Sequence, residues 1–152
     1  MASFRPAIKF LEGLQEVAFS VLQTSINQNR VFIEDRITEK QLFEKGEDGK
    51  GKKLRGYART TIRIKRQKGQ PTDRTTLKDT GAFYKSLSVE GFPLALEVKA
   101  TVPYTRYLTT EGNRYGIDIL RPSEETLGEF FEKFYIPDLK KEVEQEIKMA
   151  FA

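Results

Sequence analysis

Hydrophobic positions near the start of the chain recur at helical spacing. Ile8, Leu11, Leu14, Val17, Ala18, Val21, Leu22 and Ile26 fall on one side of a helix, with Phe10 and Phe19 at its edges. The pattern predicts a long helix over 4–27, with Ser3 as its N-cap and Pro6 tolerated in the first turn. Its apolar stripe is about twice the roughly 100° minimum for a helix packed on one surface. Two partners are therefore expected, a sheet plus either another helix or another subunit. After Asn27-Gln28-Asn29, the segment Val31 to Phe43 reads two ways: Val31, Phe32 and Ile33 suit a strand, and Thr38 to Phe43 suits a short helix. Gly46, Gly49, Gly51 and Gly56, mixed with charges, predict a flexible loop.

Period-two alternation then predicts three strands. In Tyr57 to Lys65, Ile62 and Ile64 face one way while Arg59, Arg63 and Lys65 face the other. In Ser86 to Phe92, Leu87 and Val89 alternate with polar residues. In Leu94 to Val102, Leu94, Leu96, Val98, Ala100 and Val102 do the same, and the short Gly91–Pro93 connection makes these last two an antiparallel hairpin. At the end, Ser123 is placed to cap a helix whose first turn holds Glu124 and Glu125. Leu127, Phe130, Phe131 and Phe134 lie on its apolar side. Pro137 is expected to end or kink it, and a second helix follows over 138–151. The sum is a single α+β domain over 1–152: a small, mostly antiparallel sheet packed on one face by the long N-terminal helix and the C-terminal helices. Its parts are the helix 4–27, a basic loop and strand over 46–68, the segment 77–135 and the C-terminal helix 138–151.

Composition narrows the chemistry. At 152 residues, 38% hydrophobic and 32% charged, the chain has the make-up of one soluble globular domain, with no run long enough to span a membrane. Arg5, Lys9 and Glu12 interrupt the first apolar residues, so no secretory signal is expected. With no Cys and no His, thiolate chemistry, disulfides and the usual general base are excluded. Carboxylates, Lys, Ser, Thr and Tyr remain, enough for a carboxylate pair or a carboxylate-bound magnesium ion.

Three patterns could use them. Gly46 to Lys53 approaches a phosphate-binding loop, but Lys53 stands where a Ser or Thr should meet magnesium, and Glu47 and Asp48 would repel phosphate. A charged surface turn is the better reading. Glu97-Val98-Lys99 resembles half of a magnesium-dependent nuclease site, with Asp79 the available second carboxylate. A polar strand face explains the same residues. The strongest signal is charge segregation within a net charge of +4. Lys50, Lys52, Lys53, Arg55, Arg59, Arg63, Lys65, Arg66 and Lys68 form an uninterrupted basic segment, and the chain from Ser123 carries eight acids, among them Glu142, Glu144 and Glu146. The basic segment could follow a phosphate backbone, although Tyr57 alone offers an aromatic for base stacking. It could equally meet the acidic C-terminal region of a neighbouring copy.

From Leu77 the order of features is distinctive. Leu77-Lys78-Asp79-Thr80-Gly81-Ala82-Phe83-Tyr84-Lys85-Ser86-Leu87 precedes the hairpin; Val102-Pro103-Tyr104, Tyr107 and Gly112 follow; Leu120-Arg121-Pro122 leads into the last helix. Over residues 77–135 this resembles the virion-morphogenesis family of tailed bacteriophages, the tail-completion and head–tail joining proteins of the neck. The chain departs from the family at Thr105, where Ala is usual, and at Thr110-Glu111, where His often stands, and its first 76 residues carry no matching motif. The resemblance implies a structural virion component without catalytic, cofactor or metal site. For such a component the expectation is assembly in the bacterial host cytoplasm, a ring of six or twelve copies between portal or adaptor and tail proteins, and non-specific contact with DNA in the channel. The expected contact residues are the nine basic residues named above, facing Glu142, Glu144 and Glu146.

Overall fold

The computed structural model describes residues 5–110 and 115–152. Helix α1 (Arg5–Gln28) is followed by α2 (Arg30–Asp35), which widens into a π-helical segment, Arg36–Lys45. After the glycine-rich loop come α3 (Arg59–Gln67), α4 (Ala82–Lys85), β1 (Leu87–Phe92) and β2 (Ala95–Ala100). Helix α5 (Thr105–Thr109), a 3-10 turn (Ile117–Leu120), α6 (Glu124–Phe130), a π-helical turn (Phe131–Tyr135) and α7 (Ile136–Ala150) complete the chain. The result is a small α+β fold, a two-stranded antiparallel sheet with helices on one face.

The hairpin is the one predicted. Leu87 pairs with Ala100, Val89 with Val98 and Gly91 with Leu96, so the apolar residues of both strands share a face. Ser88, Glu90 and Phe92 point the other way, to solvent. Helices α1 and α2 cover the apolar face. At Gly91 the approach of α1 is so close that a Cβ would stand 2.8 Å from Ile26 Cβ and 2.9 Å from the Gln23 carbonyl. Only glycine fits there. The outer edge of β1 is closed by side chains from the same helices. The Val89 amide donates to Glu34 Oε1 at 3.0 Å and the Gly91 amide to Asn27 Oδ1 at 2.8 Å. An edge strand satisfied in this way is no template for another strand.

Beneath the hairpin, Ile26, Ile33, Ile37, Leu42, Phe83, Leu87, Val89, Ile119 and Phe130 form one core. Ion pairs between Arg36 and Glu129, and between Lys45 and Glu125 at 2.7 Å, tie the π-helical segment to α6. The capping expectation at Ser123 holds: its Oγ accepts the Thr126 amide at 3.2 Å, with Glu124 and Glu125 in the first turn. Ser3 and Phe4, the expected cap and start of the first helix, lie outside the described residues.

Three expectations change. Tyr57 to Lys65 is not a strand, and α3 occupies Arg59–Gln67. Ile62 and Ile64 imitate strand alternation, yet Arg59, Arg63 and Arg66 also recur at i, i+4 and i+7, and burial follows that second period. Between Val31 and Phe43 the strand reading fails, because Ile33, Ile37, Thr38, Gln41 and Leu42 are buried at helical spacing. Pro137 does not stop the C-terminal helix. The chain widens into one π-helical turn just before it, and the proline then sits in the first turn of α7, where its missing N–H is tolerated.

Candidate functional site

The basic segment divides into residues held within the fold and residues left exposed. Four of its lysines are used within the fold. Lys50 pairs with Asp118 at 2.9 Å, Lys53 with Glu47 at 3.0 Å and Lys68 with Asp79 at 2.8 Å. Lys65, expected on a cationic surface, is buried at 6% exposure. It donates to the Lys78 carbonyl at 2.8 Å and to Gln70 Oε1 at 2.9 Å, with its ammonium 4.9 Å from the Tyr57 ring centre. The period of α3 requires this: a helix that turns Arg59, Arg63 and Arg66 outward must turn Thr61, Ile62 and Lys65 inward. The inward lysine then fastens the helix to the loop beneath it.

Lys52, Arg55, Arg59, Arg63 and Arg66 remain exposed, and none makes an ion pair among the described residues. Three of these arginines form a row on α3, about 10 Å from first to last at 1.5 Å per residue. Guanidinium groups in a row suit carboxylates or phosphates, which they grip with two parallel hydrogen bonds.

The acidic trio does not stay together. Glu142 and Glu146 lie one turn apart on α7, half-buried and without an ion pair among the described residues. Glu144 projects to another side of the helix, where Lys140 and Lys148 also lie by helical period. The lysine-rich side of α7 takes Glu144 out of the candidate contact.

The remaining candidates resolve into local structure. In the glycine-rich loop, Asp48 is buried and its Oδ1 accepts the amides of Lys50 and Lys52, both at 2.9 Å. The amides that a phosphate would use are therefore taken by a carboxylate of the loop itself. The Gly49 amide donates to the Asp118 carbonyl at 2.9 Å, docking the loop on the 3-10 turn. Glu97 pairs with Lys99 at 2.9 Å on the open face of β2. Asp79 accepts from Lys68 and from Gln70, which together hold its carboxyl below the ordinary aspartate range. Among the described residues no group of three or more carboxylates is arranged to hold a metal ion.

The tyrosines of the 77–135 segment gather where sequence order gave no sign. Tyr104 and Tyr107 of the α5 region join Tyr57 and Tyr115 around an open cavity of about 530 Å³. Lys65 and Gly81 also line it. Gly81 takes the left-handed conformation, at φ 83°, and the Ala82 amide donates to Thr80 Oγ1 at 3.3 Å. Behind the cavity Tyr84 donates to the Thr76 carbonyl, and burial holds its phenol well above the ordinary tyrosine range. Gly112 and Glu111 lie outside the described residues.

No family model, curated protein or solved structure matches the chain. No helix among the described residues is long and apolar enough to cross a membrane.

Proposed function

We propose that the chain is a structural subunit of a tailed-phage virion, a component of the neck that assembles as a closed ring between portal or adaptor and tail proteins. The observation that carries the reading is complementarity left unused within one copy. Arg59, Arg63 and Arg66 form an outward row on α3, Glu142 and Glu146 form an acidic step on α7, and neither set has an ion-pair partner among the described residues. Two different patches of opposite charge on one subunit are what a head-to-tail contact around a rotation axis needs. The resemblance over 77–135 supplies the biological setting, and a ring of six or twelve copies is the expected product.

A second reading rests on the same arginines. An exposed guanidinium row also fits a phosphate backbone, as in non-specific contact with DNA inside a channel. One pair of variants separates the two. Arg63→Glu with Arg66→Glu leaves the subunit folded and abolishes the high-mass particle if the row joins copies. If a monomer instead binds DNA in a salt-sensitive way, and the same variant loses only that binding, the nucleic-acid reading replaces the ring.

A further inference from the structure

Helix α1 outruns the sheet it packs on. Its sheet-facing line, through Ile26 and Leu22, continues toward the N-terminus to Leu11 and Ile8, where the sheet is no longer beneath it. Helix α7 covers a different side, with Phe151 edge-on to Phe10 at 5.8 Å. Ile8 and Leu11 are therefore 52% and 63% exposed, beside Met149 and Phe151 at the tip of α7, themselves 70% and 78% exposed. The apolar stripe is wide enough for two partners, and near its N-terminus only α7 packs on it among the described residues.

The charges beside this face identify the occupant. Arg5, Lys9, Glu12 and Glu16 follow at i, i+4, i+7 and i+11, one stripe along the flank next to Ile8. The stripe is basic in its first half and acidic in its second. When two copies of such a helix pack antiparallel about a two-fold axis, like flanks face each other and the halves exchange. An axis between residues 10 and 11 sets Lys9 of each copy opposite Glu12 of the other, and Arg5 opposite Glu16. Ile8 and Leu11 of each copy then line the seam. Lys9, Glu12 and Glu16 make no ion pair within the subunit among the described residues. A parallel arrangement would set like charges side by side.

We infer that the N-terminal half of α1 is a two-fold, antiparallel self-association surface whose occupant is the same helix of a second copy. This goes beyond the ring reading and does not depend on it, because a two-fold contact joins copies in pairs and cannot itself close a ring. The overlap spans about 12 residues, or roughly 18 Å. Two packed helices meet along a strip about 10 Å wide, so each copy contributes roughly 200 Å² in projection, well below the ~800 Å² per partner of a standard stable complex. The free dimer is accordingly weak, with a dissociation constant on the order of 100 μM.

Sedimentation equilibrium of the full chain between about 10 and 500 μM tests the pairing, with the dissociation range taken from the interface size. A reversible monomer–dimer equilibrium is expected. Lys9→Glu and Glu12→Lys should each weaken it about tenfold, the double exchange should restore it, and Leu11→Asp should abolish it. Because the chain has no native cysteine, Leu11→Cys should give a disulfide-linked dimer under mild oxidation and Glu16→Cys should not. A monomer at every concentration would overturn the inference. So would a double exchange as weak as its parents, or equal cross-linking at both positions. Binding of a non-associating chain to phosphatidylglycerol vesicles would overturn it in favour of a lipid surface. Large particles that persist in Leu11→Asp, with no dimer at lower concentration in the parent, would overturn it while leaving the ring reading standing.

Discussion

Replacing Lys65 by Glu should unfold the anchor of α3, whereas the same change at Arg63, two residues earlier, should barely register. The Lys65 ammonium donates to the Lys78 carbonyl and to Gln70 Oε1 and sits over the Tyr57 ring, at 6% exposure. A glutamate would bring a carboxylate against two acceptor oxygens and bury a charge with no donor. Each lost charge-assisted hydrogen bond is worth about 1.5–3 kcal/mol net, and an unpaired buried charge costs about 3–5 kcal/mol. We expect about 3–5 kcal/mol for the reversal. At roughly 2–4 °C per kcal/mol for a chain of this size, that is a fall in Tm of roughly 6–20 °C. Lys65→Met keeps the aliphatic stem but orphans the Lys78 carbonyl, and should fall between, at about 1–2 kcal/mol. Arg63 is exposed without an ion pair, so Arg63→Glu should stay within about 0.5 kcal/mol of the parent. Thermal and urea unfolding of the three variants give the comparison. If Lys65→Glu melts within about 2 °C of the parent, the inward turn of Lys65 is wrong, and with it the outward row of arginines.

Three further outcomes follow from the fold. Gly91→Ala places a Cβ 2.8 Å from Ile26 Cβ and should cost about 1–3 kcal/mol by urea denaturation, the range for overpacking. Ser123→Ala removes the acceptor for the Thr126 amide and should lower stability by about 1 kcal/mol, with the loss confined to α6 in amide exchange. Tyr84 sets the alkaline limit. Burial raises its phenol above the ordinary value of 10.0, so the folded chain keeps it neutral while the unfolded chain ionises. The stability it contributes is complete below pH 10 and is lost as pH rises toward the folded value. Urea midpoints from pH 8 to 11 should fall less steeply in Tyr84→Phe, which at neutral pH loses about 1–2 kcal/mol with its hydrogen bond to the Thr76 carbonyl.

What the sequence made legible was whatever a single element settles by itself. The hairpin reads from strict alternation in Leu87 to Phe92 and Ala95 to Ala100, and α6 reads from Ser123 followed by two acids. Segments compatible with two periods were not legible. The Thr60–Ile64 stretch is rich in β-branched residues and alternates, and its helical form turns Lys65 inward to a carbonyl 13 residues away, a partner that local pattern does not reveal. The same contact buries one lysine of the expected interface, and Asp118, Glu47 and Asp79 pair with three more, Glu47 from within the same loop and the other two from elsewhere in the chain. A helical reading of 57–65 would have exposed the division, since Arg59, Arg63 and Arg66 fall on one side at that period. The tyrosine-lined cavity had no sequence signal, because Tyr57 reaches it from a loop that precedes the other tyrosines by more than 45 residues.

The most direct test of the account is the mass of the particle formed by the concentrated chain, alone and with the portal and tail proteins of the same virion, measured beside Arg63→Glu with Arg66→Glu. With the portal and tail proteins present, a single closed species of six or twelve copies is expected for the parent, and none with more than two copies for the variant. A parent that never exceeds two copies in any mixture, or a variant that forms the same closed species, would contradict the claim that the α3 arginines join neighbouring subunits.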